Sequence, residues 1–163
     1  IQPLQWGGGQ ERGVRSGTEN IPGIVGLGQA VQRIEENLEK EQMYHLKGML
    51  AGGLLESVPA AIINGPKLSE GAPHILNVSF PNIKGEVMLH ALEAKGVCVS
   101  TGSACSSRSG RISHVFEAIG ANKQTAQGAI RISLSYMNTE DEINRTVEII
   151  SQCVKELEGF VRR

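Results

Sequence analysis

A chain of 163 residues is long enough to form one domain with a substantial buried core. Sixteen basic residues against seventeen acidic ones leave a net charge of −1, which gives no electrostatic reason to expect a nucleic acid or an anionic membrane as partner. No apolar run approaches the roughly 20 residues of a membrane-spanning helix. The three cysteines, Cys98, Cys105 and Cys153, are odd in number and lack Cys-x-x-Cys or Cys/His spacing. That pattern argues against a secreted disulfide framework and a zinc site, and for a reducing, cytoplasmic setting.

Residues 1–20 carry Gly7-Gly8-Gly9, Gly13 and Gly17 without apolar periodicity, and read as a glycine-rich connecting segment. Arg12, Arg15, Ser16, Thr18 and glycine-exposed backbone N–H groups are donors of the kind that hold an anion, although a plain linker has the same composition. Residue 1 is Ile rather than Met, so an upstream segment is expected.

Residues 21–163 read as one domain. Asn20 or Thr18 can cap a long helix with Pro22 in its first turn. Leu27, Val31, Ile34 and Leu38, resumed by Leu46, Leu50 and Leu54, predict that one face of it is buried. Ala61-Ile62-Ile63 predicts a short buried strand, and Leu76, Val78 and Phe80, alternating with Asn77 and Ser79, a half-buried one. A helix over 86–95 should stop at Gly96, after which Val97-Cys98-Val99 reads as a short strand with Cys98 a small core residue. Ser113 should cap a short helix ending at Gly120, and a helical turn is expected near 123–127. Ile130, Ile132 and Leu134, alternating with Arg131, Ser133 and Ser135, mark another one-sided strand. Thr139-x-x-Glu142 is a capping box for a last helix whose stripe is Ile143, Val147, Ile150, Val154, Leu157 and Val161. About four short strands with two long amphipathic helices imply an α+β fold, with helices layered on one face of a small, mainly antiparallel sheet.

Two residues stand out chemically. Cys105 lies in a run of small polar residues between Val99 and Gly110, with Arg108 and Arg111 nearby. Positive charge beside a thiol lowers its pKa and raises its thiolate fraction. Arg131 falls on the non-core face of its strand, where it is either a solvated charge or a fixed fork for a carboxylate. Cys153 should pack in the last helix, and His45 and His90 read as surface or boundary residues, whereas His114, in the first turn after the loop, is either close to Cys105 or solvated. Lys67 reads as a turn lysine in Asn64-Gly65-Pro66-Lys67.

Gly7-Gly8-Gly9-Gln10-Glu11-Arg12-Gly13-Val14-Arg15-Ser16-Gly17-Thr18-Glu19-Asn20, Ser103-Ala104-Cys105-Ser106-Ser107 and Ala129-Ile130-Arg131-Ile132-Ser133-Leu134 together resemble, in order and over the whole chain, the NifS/IscS-like cysteine desulfurases. These are class V aminotransferases of the pyridoxal-phosphate fold type I. The resemblance implies the C-terminal, small domain of such an enzyme, in which pyridoxal 5'-phosphate supplies an electron sink for the cleavage of L-cysteine to L-alanine. It implies that Cys105 takes the sulfur as a persulfide and passes it to an acceptor protein, either an iron–sulfur scaffold or a tRNA-thiolation enzyme. Arg131 matches the arginine that holds the substrate carboxylate. Thr18 matches a threonine that reaches the cofactor phosphate of the neighbouring subunit, which implies a homodimer.

The family's cofactor lysine, which follows a histidine upstream of the glycine-rich stretch, has no match here, so the 163 residues alone are expected to lack turnover. Ile112 and Ser135-Tyr136 depart from the family's pattern beside the site. Two other readings compete with the enzyme. One is a non-enzymatic sulfur-relay or interaction domain that receives sulfur on Cys105. The other is a phosphate or nucleotide binder built on residues 7–18, against which the lack of a strand-loop-helix phosphate motif counts.

Overall fold

A computed structural model describes residues 2–36, 40–101 and 113–161. The chain divides into two compact units, Ile1–Leu38 and Glu39–Arg163.

The first unit holds a looped segment and helix α1 (Ile21–Glu36). Asn20 caps α1, its Oδ1 accepting from the Gly23 N–H at 3.2 Å, and Pro22 occupies the first turn. The apolar stripe does not bury as its periodicity predicts. Leu27, Val31 and Ile34 are all exposed, because among the described residues of this unit only a looped segment with a single short 3-10 turn (Gln10–Gly13) accompanies α1, and it does not cover them. Leu38 lies outside the described residues.

The second unit is an α+β layer structure. Strands β1 (Ile62–Asn64), β2 (Ile75–Ser79) and β3 (Ala129–Ser133) form one antiparallel sheet in the order β1-β2-β3. In register, Val78 faces Ile63 and Ile130, and Leu76 faces Ile132. These side chains define the core face, and Leu76, Val78, Ile130 and Ile132 are all buried. Helices α2 (Lys40–Ser57), α3 (Gly85–Glu93) and α6 (Glu140–Val161) supply the opposing layer. Leu46, Leu50 and Leu54 of α2, Met88 and Leu92 of α3, and Ile143, Ile150 and Val154 of α6 are buried in it. Helical spacing that fails to bury α1 therefore buries the stripes of α2 (steps of four) and α6 (steps of four and three), where a partner layer exists.

Local signals set the element ends. Thr139 and Glu142 close a reciprocal capping box on α6: the Thr139 N–H donates to Glu142 Oε2 at 3.0 Å and the Glu142 N–H to Thr139 Oγ1 at 3.3 Å. The Thr139 N–H is the main cause that holds the Glu142 carboxyl below its ordinary value. Gly96 follows α3 with φ +81°, the left-handed conformation that ends a helix without a Cβ clash.

Two strand expectations are revised. Ile62 is exposed because alternation puts it on the face opposite Ile63, and Ile63 is only half-buried at the sheet edge. Residues 97–99 join no strand, and Cys98 is not a core residue: Val97 and Val99 pack against the core, and Cys98, alternating with them, is exposed. The fourth strand is reduced to one antiparallel bridge, Ser100 with Arg131, on the free edge of β3.

Two glycines let the connections into β3 approach other backbone closely. A Cβ on Gly128 would collide with the Phe80 carbonyl oxygen and lie 3.0 Å from that of Ile83, and one on Gly85 would sit 2.7 Å from the Ala129 oxygen. Since the colliding atoms are backbone, no rotamer change relieves them. Gly128→Ala should therefore cost about 3 kcal/mol, the upper end of ordinary overpacking. Urea unfolding checks this, and a loss near the few tenths of a surface substitution would refute the close approach.

Candidate active site

Cys105 lies outside the described residues. The two ends from which its segment departs are described, and both are fixed. On the entry side, Ser100 and Arg131 exchange backbone hydrogen bonds: the Ser100 N–H donates to the Arg131 carbonyl at 3.0 Å, and the Arg131 N–H to the Ser100 carbonyl at 2.6 Å. Thr101 is buried, with its Cγ2 3.4 Å from the ideal Cβ position of Gly85. On the exit side, Ser113 Oγ accepts from the Val115 N–H at 3.4 Å and caps helix α4 (His114–Ala118), whose Phe116 is buried. His114 is exposed.

Arg131 stands on the non-core face of β3 and is exposed. Its Nη2 donates to Ser100 Oγ at 3.5 Å, and it has no carboxylate partner among the described residues. A guanidinium held at one edge of a sheet, with its remaining donors unspent among the described residues, is suited to a carboxylate ligand. The bridge brings this cation to the root of the cysteine segment although 31 residues separate Ser100 from Arg131.

The other thiols differ in kind. Cys153 is fully buried in α6, and burial pushes its thiol pKa up, which suppresses the thiolate. Cys98 is exposed beside Lys95 and Gly96 in a groove of about 590 Å³ that Ile132, Asn138 and Arg145 also line.

Thr18 belongs to the first unit. The segment around it closes on itself: Ser16 Oγ donates to the Gly8 carbonyl at 3.0 Å, Arg15 Nη1 to the Thr18 carbonyl at 2.9 Å, and the Gly17 N–H to Gln10 Oε1 at 3.4 Å. These bonds use Ser16 Oγ, one N–H of Arg15 and the Gly17 N–H to build the loop, and leave the exposed Thr18 hydroxyl, Arg12 and the other Arg15 donors among the anion donors read from the sequence. Such donors fit the phosphate end of pyridoxal phosphate. An anchoring lysine is a different requirement. The first unit contains none. The Nζ of the buried Lys47 is committed to the carbonyls of Ala72 at 2.9 Å and Leu68 at 3.3 Å, and burial pushes its pKa down. Lys67 is exposed and pairs with Glu70 at 3.6 Å, as a turn lysine would. Among the described residues, no group of three or more His, Cys, Asp or Glu could hold a metal, and no helix is long and apolar enough to cross a membrane.

An α+β unit with a polar, arginine-bearing sheet face at the root of a cysteine segment is the class of domain found in pyridoxal-phosphate enzymes of fold type I. The chain belongs to the aminotransferase class-V family, whose sequence pattern it matches over residues 3–146. Within that family its similarity runs to the NifS/IscS-like cysteine desulfurases. It is 44% identical over 159 residues to cysteine desulfurase IscS of Clostridium botulinum, covering 96% of this chain and 40% of that protein. Its fold superposes on the crystallised "NifS-like protein" with a TM-score of 0.77 at 41% identity, covering 95% of this chain and 39% of the other. A third similarity is to the structure of SspA in complex with cysteine, with a TM-score of 0.53 at 30% identity over 82% of this chain and 35% of that one. The chain thus spans about 40% of the length of the curated relatives it matches.

Proposed function

We propose that this chain is the cysteine-bearing domain of a pyridoxal-phosphate-dependent cysteine desulfurase. In this reading residues 1–20 are its connecting segment and residues 21–163 its small domain. The observation that carries the proposal is the two-way backbone bridge between Ser100 and Arg131, which ties a carboxylate-binding cation to the root of the Cys105 segment. Arg131 would hold the carboxylate of L-cysteine, and Thr18 would contribute to holding the cofactor phosphate of a neighbouring subunit. Bound pyridoxal phosphate supplies the electron sink for cleavage of the substrate C–S bond. The Cys105 thiolate attacks the substrate sulfur, so that an S–S bond forms as the C–S bond breaks. The three-carbon remainder leaves as L-alanine after protonation, and the persulfide on Cys105 is the form in which sulfur is carried onward.

The reading extends to a cytoplasmic homodimer that passes sulfur to an iron–sulfur scaffold or a tRNA-thiolation enzyme. The unpaired thiols Cys98 and Cys153 support a reducing compartment. The direct test supplies L-cysteine to the full-length holoenzyme, alkylates it and weighs its peptides. One added sulfur on the Cys105 peptide, with an equal amount of L-alanine, is expected. Alanine release with the added sulfur on Cys98, or on no cysteine, would sink the assignment. Sulfur reaching Cys105 only from a donor protein, without alanine, would mark a relay domain.

A further inference from the structure

The sheet face that carries Arg131 holds a second polar arrangement. Asn64, Asn77 and Arg131 occupy one cross-strand row, and Ser100 extends it beyond β3. Facing side chains on one face of antiparallel strands stand about 5 Å apart at Cβ, so Asn77 neighbours Asn64 on one side and Arg131 on the other. Asn64 Nδ2 donates to Asn77 Oδ1 and to Ser79 Oγ, both at 2.7 Å. Ser79 Oγ in turn donates at 2.8 Å to the carbonyl of Thr125, in helix α5 (Lys123–Gln127).

The buried end of this chain dictates the direction of every bond in it. The Thr125 carbonyl can only accept, so the fully buried Ser79 hydroxyl spends its single proton there. Ser79 can then only accept from Asn64, which turns the Asn64 NH2 toward it. The second proton of that NH2 goes to Asn77, and Asn77 must therefore present its carbonyl oxygen to Asn64. Its own NH2 is left on the branch away from β1, toward β3 and Arg131, with no hydrogen bond among the described residues. The opposite amide orientation would set two NH2 groups against each other and leave half-buried donors unmet.

We propose that Asn77 is a second donor to the substrate carboxylate beside Arg131, held in its donating orientation by Asn64 and Ser79. This rests on the reading of Arg131 as the carboxylate fork. A guanidinium and an amide NH2 from facing positions of one cross-strand row, both donors only, select a ligand group that offers acceptors alone. A carboxylate satisfies both, whereas a carboxamide would turn its own NH2 against one of them. Asn77 thereby becomes a specificity residue, and Asn64, which does not touch the ligand, a positioning residue.

The test measures dissociation constants of L-alanine and L-alaninamide for the full-length holoenzyme by calorimetry. Unaltered protein should prefer L-alanine, and Asn77→Leu should cut that preference about tenfold, the worth of one hydrogen bond to a charged group. Asn64→Asp should do the same without contacting the ligand, because an acceptor-only side chain at 64 draws the Asn77 NH2 back toward β1. It also carries the test if Asn77→Leu fails to fold. An unchanged preference in both variants, with Arg131→Leu abolishing it, would overturn the proposal and leave the carboxylate reading of Arg131 standing. A preference that survives Arg131→Leu would overturn both.

Discussion

Arg131→Leu in the full-length holoenzyme should lower kcat/KM for L-cysteine by a few hundredfold while leaving the unfolding midpoint within a degree or two of the unaltered protein. The two halves of this expectation have separate causes. Arg131 is exposed and makes no ion pair among the described residues, so its loss removes little from the fold. What it removes is a bidentate, charge-assisted contact. Two such bonds at about 1.5 kcal/mol each amount to about 3 kcal/mol, or roughly two hundredfold at 1.36 kcal/mol per factor of ten. Arg131→Lys keeps the charge but not the fork, and should recover only part of the loss. KM should rise in both variants, since the carboxylate is bound before and during the chemistry alike. An Arg131→Leu enzyme with unchanged KM and kcat would show that the residue is the solvated charge its strand position also allows.

How far the sequence foretells this site depends on the range over which each signal acts. The capping box and apolar stripe of α6, and the alternation in β2 and β3, are written within a few residues of themselves, and they appear where expected. The same local rule fails for Val97-Cys98-Val99, since alternation states which side chains agree with each other but not whether a neighbouring strand exists to pair with. It fails for α1 because burial of Leu27, Val31 and Ile34 needs a covering layer that no described element of its own unit supplies. Arg131 was legible as a non-core residue. Its link to the cysteine segment was not, because an antiparallel bridge across 31 residues leaves no trace in local pattern. Asn64, Asn77 and Ser79 were read only as turn or outward-facing strand residues. Their significance comes from register, which sets them beside Arg131, and from α5, whose Thr125 carbonyl orders their hydrogen bonds. Cys105 stands out by composition and resemblance alone, and lies outside the described residues.

Cys105→Ala should reduce sulfur transfer from L-cysteine by at least about 10³-fold, a modest expectation for loss of a covalent nucleophile. The equilibrium affinity for L-alanine should stay within about twofold of the unaltered enzyme, because the thiol is assigned to the sulfur and not to the carboxylate. Serine should rescue nothing: its hydroxyl is far weaker as a nucleophile at neutral pH and cannot carry a second sulfur. The informative comparison is among the three thiols. Cys153 is buried with a raised pKa, so a conservative change there should act on stability before activity. Cys98 is exposed in the same unit, two residues before Ser100, and is therefore the thiol that could mimic Cys105 in a crude chemical assay. Cys98→Ala should keep nearly full turnover. If it were inactive while Cys105→Ala retained more than about a tenth of the rate, the sulfur would have to be received on the entry side of the Ser100–Arg131 bridge. The groove lined by Cys98, Lys95 and Arg145 would then be its site.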